Sequence, residues 1–392
     1  MKKNICILLN GSLYKDSRAQ KIAYTLSKIL NVQIFSLNED FNKLSYLTKD
    51  CDVISIRGLN YKSINHFIKP FNQNTNYFID EIKRKKIKYD YVYCHDLDTL
   101  RTGVKLKKYF VTKLIYDIHD LKTETVNQEL PSKKSFKGLI FRILLKYLKI
   151  RYFLLEKQLI KKTDLTITVN SSIADFLRKK YKGIKIEVIN NYPILTEIPK
   201  EKLLREKLSL KKNDFIVLYH GNLGKGRYLD AIVESSKYVM KNIFYVIIGN
   251  GVLKNDLKQK NYTNVYFLDL VPYLDLFKYS SDANIGIVLV EHINYSKKYA
   301  SANKLFEYMA SNIPVIINKS PEMEKVILDA NCGYILDEVT PKKIADLINN
   351  CFQNQKELQI LGNNGRLFYE KKYNWSYEEN ILMQIFKNNL II

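Results

Sequence analysis

The sequence predicts an α/β chain of two Rossmann-like, doubly wound domains, each a parallel sheet flanked by helices. Short apolar runs alternate with helical patterns along the whole chain, as strands buried on both faces of a parallel sheet require. The alternation starts afresh after a polar, Lys-rich stretch that follows Asn190-Asn191-Tyr192-Pro193. A length of 392 residues suits two cores rather than one. The expected division is 1–195, 196–372, and a final helix over 373–392 that packs back on the first domain.

In the first half the runs are Ile5 to Leu9, Val32 to Leu37, Val53 to Arg57, Tyr91 to Cys94, Leu114 to Ile118, Leu165 to Val169 and Lys185 to Ile189. The second half offers Phe215 to Tyr219, Phe244 to Ile248, Val265 to Leu268, Ile285 to Val290, Pro314 to Ile317 and Gly333 to Leu336. Near the end, Ser376 and Glu379 stand in a capping-box arrangement before Ile381, Leu382 and Ile385, which predicts the last helix.

Charge is distributed unevenly. The chain carries a formal +23, and residues 1–195 hold 37 basic against 18 acidic side chains, whereas 196–392 hold 26 against 22. A coding bias toward lysine would fall on both halves, so the excess in the first half needs a local cause. From Pro131 to Lys162 ten cations meet one acid, Glu156. Arg142, Lys146 and Lys149 recur at helical spacing, with Leu139, Ile140, Ile143, Leu144 and Leu148 as an apolar stripe, the form of a helix lying in an anionic membrane interface or packed on its own domain. No run of 18 residues there is free of charge, which excludes a spanning helix. Nucleic acid is not expected as a partner, because no recognition-helix or RNP-type pattern accompanies the charge. The apolar run Ile5 to Leu9 is too short for a signal peptide, and five scattered cysteines form neither a disulfide framework nor a zinc set, so a reducing cytoplasm is expected.

Ligands of open parallel sheets bind beyond the carboxyl ends of the strands. His95, His119 and His220 fall there, and Asp117 and Asp120 could orient or charge the His119 imidazole. Asp96-Leu97-Asp98 is a D-x-D, but Asp98 also suits a helix cap, and no metal ligand set is read from it. After the strand ending at Tyr219 comes His220-Gly221-Asn222-Leu223-Gly224-Lys225-Gly226-Arg227. Its glycines allow close backbone approach, and Lys225 and Arg227 supply charge for a diphosphate. Gly249-Asn250-Gly251 is a second such turn. In Asn303-Lys304-Leu305-Phe306-Glu307 a lysine sits in a first helical turn, where a cation destabilises an unliganded helix end and so points to a bound anion. Glu307 shares its face and could accept from vicinal ribose hydroxyls or pair with Lys304.

With these residues the chain resembles a glycosyltransferase of the GT-B fold, family-4 type (glycosyl transferases group 1). The second half carries the likeness through the Tyr-His-Gly-Asn-Leu loop with Arg227, the Ile-Ile-Gly-Asn-Gly turn, Ser281-Asp282-Ala283-Asn284-Ile285-Gly286, and Asn303 to Glu307 before Ile313-Pro314-Val315-Ile316. The first half agrees through Asp16-Ser17-Arg18 and Asp117-Ile118-His119-Asp120. The resemblance implies two domains facing each other across a cleft, the first for the acceptor and the second for a nucleotide sugar. Arg227 and Lys304 would meet the diphosphate, Glu307 the ribose and His119 the donor sugar, with Gly11, Arg18 and His95 on the acceptor side. No cofactor or metal is expected. The implied partners are a nucleotide-sugar donor, a glycan or lipid-linked acceptor and an anionic membrane surface on the cytoplasmic side. One departure stands out: the family usually places a second glutamate eight residues before Glu307, and here that residue is Tyr299. Retention or inversion is therefore left open, as is a nucleotide-sugar epimerase or a non-catalytic binding protein of the same architecture.

Overall fold

In a computed structural model, which describes residues 2–58, 74–125, 136–199, 201 and 203–390, the chain forms two units. One comprises Met1–Asn191 with Glu378–Ile392, the other Tyr192–Tyr377.

Among its described residues the first unit has seven parallel strands: β1 (Asn4–Leu8), β2 (Asn31–Leu37), β3 (Asp52–Ile56), β4 (Tyr91–His95), β5 (Lys113–Ile118), β6 (Leu165–Thr168) and β7 (Ile186–Val188). Their order is β3-β2-β1-β4-β5-β6-β7, so the direction of winding reverses between β1 and β4. β4 is buried along its whole length, which is why it reads as an unbroken apolar run. The helix Asp96–Phe110 lies tightly against it, since a Cβ on Gly103 would stand 2.3 Å from Cys94 Sγ. A loop entered from β1 or β4 therefore ends at the switch-point crevice, where ligands of such sheets bind.

The second unit repeats the plan with β8 (Phe215–His220), β9 (Ile243–Ile248), β10 (Val265–Leu268), β11 (Ile285–Val288), β12 (Val315–Asn318) and β13 (Gly333–Leu336). All pairs are parallel in the order β10-β9-β8-β11-β12-β13, with the reversal between β8 and β11. Two clusters sandwich this sheet, one around Tyr308, Phe306 and Met309 and the other around Ile232, Ile287 and Ile344. Gly286 is required on β11 because any Cβ there would lie 2.4 Å from the Tyr308 ring.

Several boundaries differ from the sequence reading for local reasons. The helix that Asp98 was expected to cap starts at Asp96, with the Asp96 backbone at φ 59°, so Asp98 stands in its first turn rather than capping it. The last helix, Trp375–Leu390, starts one residue before Ser376. Asn374 accepts from the Tyr377 N–H at 3.3 Å in place of the expected Ser376 cap, and Glu379 pairs with Lys28. Glu378 is buried and accepts from the Asn190 backbone and side chain at 2.8 and 2.9 Å.

The basic segment is a helix from Phe136 to Ile160. Pro131 and the Leu139 and Ile140 side chains lie outside what is described. Ile143 is exposed and Leu148 buried, so those two do not share one stripe.

Candidate functional site

In the second unit, the loops after β8 and β9 are held together by backbone. Gly221 N–H donates to Ile248 O at 2.8 Å, Leu223 N–H to Asn250 O at 2.9 Å and Leu253 N–H to Leu223 O at 3.0 Å. The approach leaves no room for side chains: a Cβ on Gly249 would fall 1.9 Å from Gly221 O, and one on Gly251 2.4 Å from Leu223 O. Gly221 (φ 117°) and Gly226 (φ 83°) turn the loop through conformations that L side chains avoid. Glu291, beyond β11, fixes its far end: its own N–H donates to Gly226 O at 3.1 Å and its Oε1 accepts from Tyr228 N–H at 3.2 Å. Arg227 is thereby set at the loop's end, with Nη1 donating to Lys225 O at 3.2 Å.

Lys304 comes to the same loop from the first turn of the helix Asn303–Ala310, which no side chain caps. Its Nζ lies 3.9 Å over the centre of the Tyr219 ring, and a Cβ on Gly221 would stand 3.3 Å from it. Burial, then Arg227, lowers the Lys304 pKa to about 7, with only Glu307 pulling the other way. Two cations thus converge beside open glycine backbone and a helix N-terminus, an arrangement that favours an anion. Glu307 Oε2 lies 3.6 Å from His220 Nδ1, and the Tyr273 hydroxyl also bonds to Glu307. Burial, then Lys304, pushes the His220 pKa well below its ordinary value, so that ring is neutral, and its buried Nε2 has no hydrogen-bond partner among the described residues.

The first unit gathers a second group at the ends of β4 and β5. Asp117 is fully buried and accepts from Arg18 Nε at 3.0 Å, Arg18 Nη2 at 2.8 Å and the Tyr93 hydroxyl at 2.8 Å. Burial would raise its pKa, but Arg18 and His119 outweigh that and hold the carboxyl well below the usual range. His119 Nε2 faces His95 Nδ1 at 2.8 Å and Asp117 Oδ2 at 3.3 Å, and its Nδ1 stands 3.9 Å from both Asp16 and Asp96. Burial lowers the His119 pKa, yet Asp96 and then Asp117 carry it to about 9, whereas burial and then His119 take His95 down to about 4. At neutral pH His119 is an imidazolium donating to a neutral His95. His95, Asp117 and His119 offer ligand atoms within 4.8 Å of one another, so this is the place among the described residues where a metal ion could be held. Those atoms are already engaged with each other and with Arg18.

The expected donor-side residues Gly221, Gly224, Lys225, Arg227, Gly249, Gly251, Lys304 and Glu307 therefore lie on neighbouring loops and one helix start of a single unit. Asn303 is exposed at that helix start. Leu305 differs, because its side chain is fully buried in the core and its N–H donates to Ala302 O at 3.0 Å. Gly11 follows β1 with open space around its Cα. Arg18 does not reach outward: it is 2 % exposed, grips Asp117, and gives Nη1 to Ile189 O at 2.7 Å. His95 is likewise buried and meets His119 rather than solvent. The D-x-D carboxylates point to protein partners, Asp96 Oδ1 accepting the His119 N–H at 3.0 Å and Asp98 pairing with Lys122 at 3.2 Å. Lys149 turns to Glu124 at 3.0 Å, while Arg142 is half-buried and Lys146 exposed. Sequence reasoning missed Tyr219, Tyr93 and the structural use of Glu291. Tyr219 ends an apolar run and Glu291 follows one, whereas nothing local marked Tyr93 in the middle of its strand.

The two parallel sheets, each with its switch point, and the glycine-lined cationic loop define the class as a GT-B architecture. Residues 200–368 match the model of the family described as glycosyl transferases group 1. The capsular polysaccharide biosynthesis glycosyltransferase CapM of Staphylococcus aureus is 22 % identical over 184 residues, 45 % of this chain and 47 % of that protein. The chain spans about half the length of the curated relatives it matches. Among solved structures, a sucrose-phosphate synthase from Thermosynechococcus elongatus superposes with a TM-score of 0.76 at 16 % identity over 98 % of each chain. HepE of Anabaena, in complex with UDP and glucose, gives 0.71 at 13 % identity over 98 % of this chain and 99 % of that one.

Proposed function

We propose that this protein transfers a sugar from a nucleoside diphosphate donor to a cell-envelope glycan, on a lipid-linked or similar acceptor, at the cytoplasmic face of the membrane. The observation that carries the reading is Lys304: an ammonium seated on an aromatic ring, crowded by Arg227 and discharged toward pH 7 until an anion joins it. Cleaving a sugar–diphosphate bond builds negative charge on the leaving phosphate. Fixed cations and first-turn N–H groups aimed at that point lower the barrier, because they need no reorganisation as the charge develops. Glu307 faces the same loop from one turn further along and takes the ribose hydroxyls. In the first unit, the protonated His119, fixed by Asp117 and His95, donates to the sugar, and the basic domain takes the acceptor. The relatives support the direction of this reading, since one is named for capsular polysaccharide biosynthesis and one neighbour was solved with UDP and glucose.

Nucleotide release, measured with a panel of nucleotide sugars and membrane extract, tests the proposal. Arg227→Ala and Lys304→Ala should each cost about 10²-fold to 10³-fold in turnover, the range for loss of one oxyanion donor. Turnover that survives both substitutions, or no turnover with any donor, contradicts it. Product analysis without acceptor separates transfer from epimerisation.

A further inference from the structure

A helix on the surface of a soluble domain is apolar on the side that meets the core and polar on the other. The helix Phe136–Ile160 breaks this rule. Leu145, Leu148, Leu159 and Ile160 are buried, and Glu156, its sole acid, is buried with them, accepting from the Tyr116 and Tyr181 hydroxyls at 2.9 and 2.6 Å. Turned about half a circle away, Ile143, Tyr147, Ile150 and Leu154 follow the i, i+4, i+7, i+11 pattern and are 62, 54, 57 and 56 % exposed. Three exposed cations border this second stripe: Lys146 and Lys157 on one side and Arg151 on the other. The Arg151 guanidinium lies 5.6 Å over the Tyr147 ring. No helix among the described residues is long and apolar enough to cross a membrane.

We infer that the outward stripe Ile143, Tyr147, Ile150 and Leu154 is a membrane-docking face. It lies flat on an anionic lipid surface, with Lys146, Arg151 and Lys157 meeting the headgroups. The charge pattern selects this occupant: an apolar ridge about 16 Å long, at 1.5 Å per residue, carries cations on both flanks and no acid, which matches an anionic bilayer. The assignment deepens the reading of a membrane-surface transferase by fixing which face docks, but its test does not depend on catalysis. Lys149 is not part of this face, because it is bound to Glu124.

Co-sedimentation of the full chain with vesicles of phosphatidylcholine and phosphatidylglycerol, and with phosphatidylcholine alone, tests the inference. Binding is expected to the anionic vesicles and to weaken with salt. The double variant Ile150→Ser/Leu154→Ser should reduce it at least tenfold, and Lys146→Gln or Arg151→Gln about fivefold each, the equivalent of about 1 kcal/mol per juxtamembrane cation. Lys149→Gln should leave vesicle binding within twofold. Circular dichroism and thermal melting of each variant separate lost docking from lost folding, and the exposed serine substitutions should melt as the parent does. Three results overturn the inference: no binding to anionic vesicles, binding unaffected by the stripe variants, or a dimer in solution that those variants dissociate, which makes the face a self-contact.

Discussion

Donor binding at pH 8 should take up close to one proton, and Lys304 should be the group that takes it. With its pKa lowered to about 7, about nine-tenths of the unliganded chains carry a neutral amine at pH 8. A diphosphate within about 4 Å of that nitrogen contributes about 4 kcal/mol per charge at an effective dielectric of 20, against 1.4 kcal/mol per pKa unit. That is ample to return Lys304 to its ordinary range. The uptake is therefore about 0.9 proton at pH 8 and about 0.1 at pH 6, where the amine is already charged before binding. Affinity should fall about tenfold per pH unit from pH 7 upward, until the pKa of the complex is passed. Calorimetry in HEPES and in Tris reads the proton number from the dependence of the heat on buffer ionisation enthalpy. A nucleotide sugar has no phosphate titrating at pH 8, so the uptake belongs to the protein. Equal observed heats in the two buffers, or the same uptake in Lys304→Met, refutes the reasoning.

Three further outcomes follow from the same geometry. Lys304→Met should bind donor far more weakly yet melt about 2–4 °C higher without ligand, since about 1 kcal/mol of desolvation and Arg227 repulsion disappears; a lower melting temperature contradicts this. Gly249→Ala places a methyl 1.9 Å from Gly221 O at φ 158°, so donor affinity should drop at least tenfold while β8 and β9 remain folded by amide exchange; unchanged affinity contradicts a rigid loop junction. Asp117→Ala leaves Arg18 buried without its carboxylate and should destabilise the protein by about 3–5 kcal/mol in urea. His119, raised to about 9 by Asp96 and Asp117, should then titrate lower by NMR. Its stabilising contribution in the parent is full below about pH 6.5, its unfolded value, and is lost as pH rises through about 9.

The strands were legible because parallel strands covered on both faces leave unbroken apolar runs, and all thirteen runs became strands within two residues. The glycine loop and the Lys304 helix start were also legible, since glycine spacing and a misplaced cation are local signals. The Asp117 cluster was legible only in part, since Asp117 beside His119 is a local signal and Arg18 is not. Arg18 and Asp117 are 99 residues apart and meet because β1, β4 and β5 are neighbours in the sheet, which no local pattern states. That distance is why Arg18 and His95 read as cleft residues when burial makes them supports for Asp117 and His119. The basic helix misled for another reason: it is apolar on two opposite faces, so its periodicity alone could not tell the inward stripe through Leu148 from the outward one through Ile150.

A crystal structure of the protein with a nucleoside diphosphate bound tests the central claim most directly. The two phosphoryl groups should lie within about 4 Å of Lys304 Nζ and the Arg227 guanidinium, against the backbone of Gly221 and the first turn at Asn303. Phosphates seated elsewhere, or touching neither cation, contradict the account.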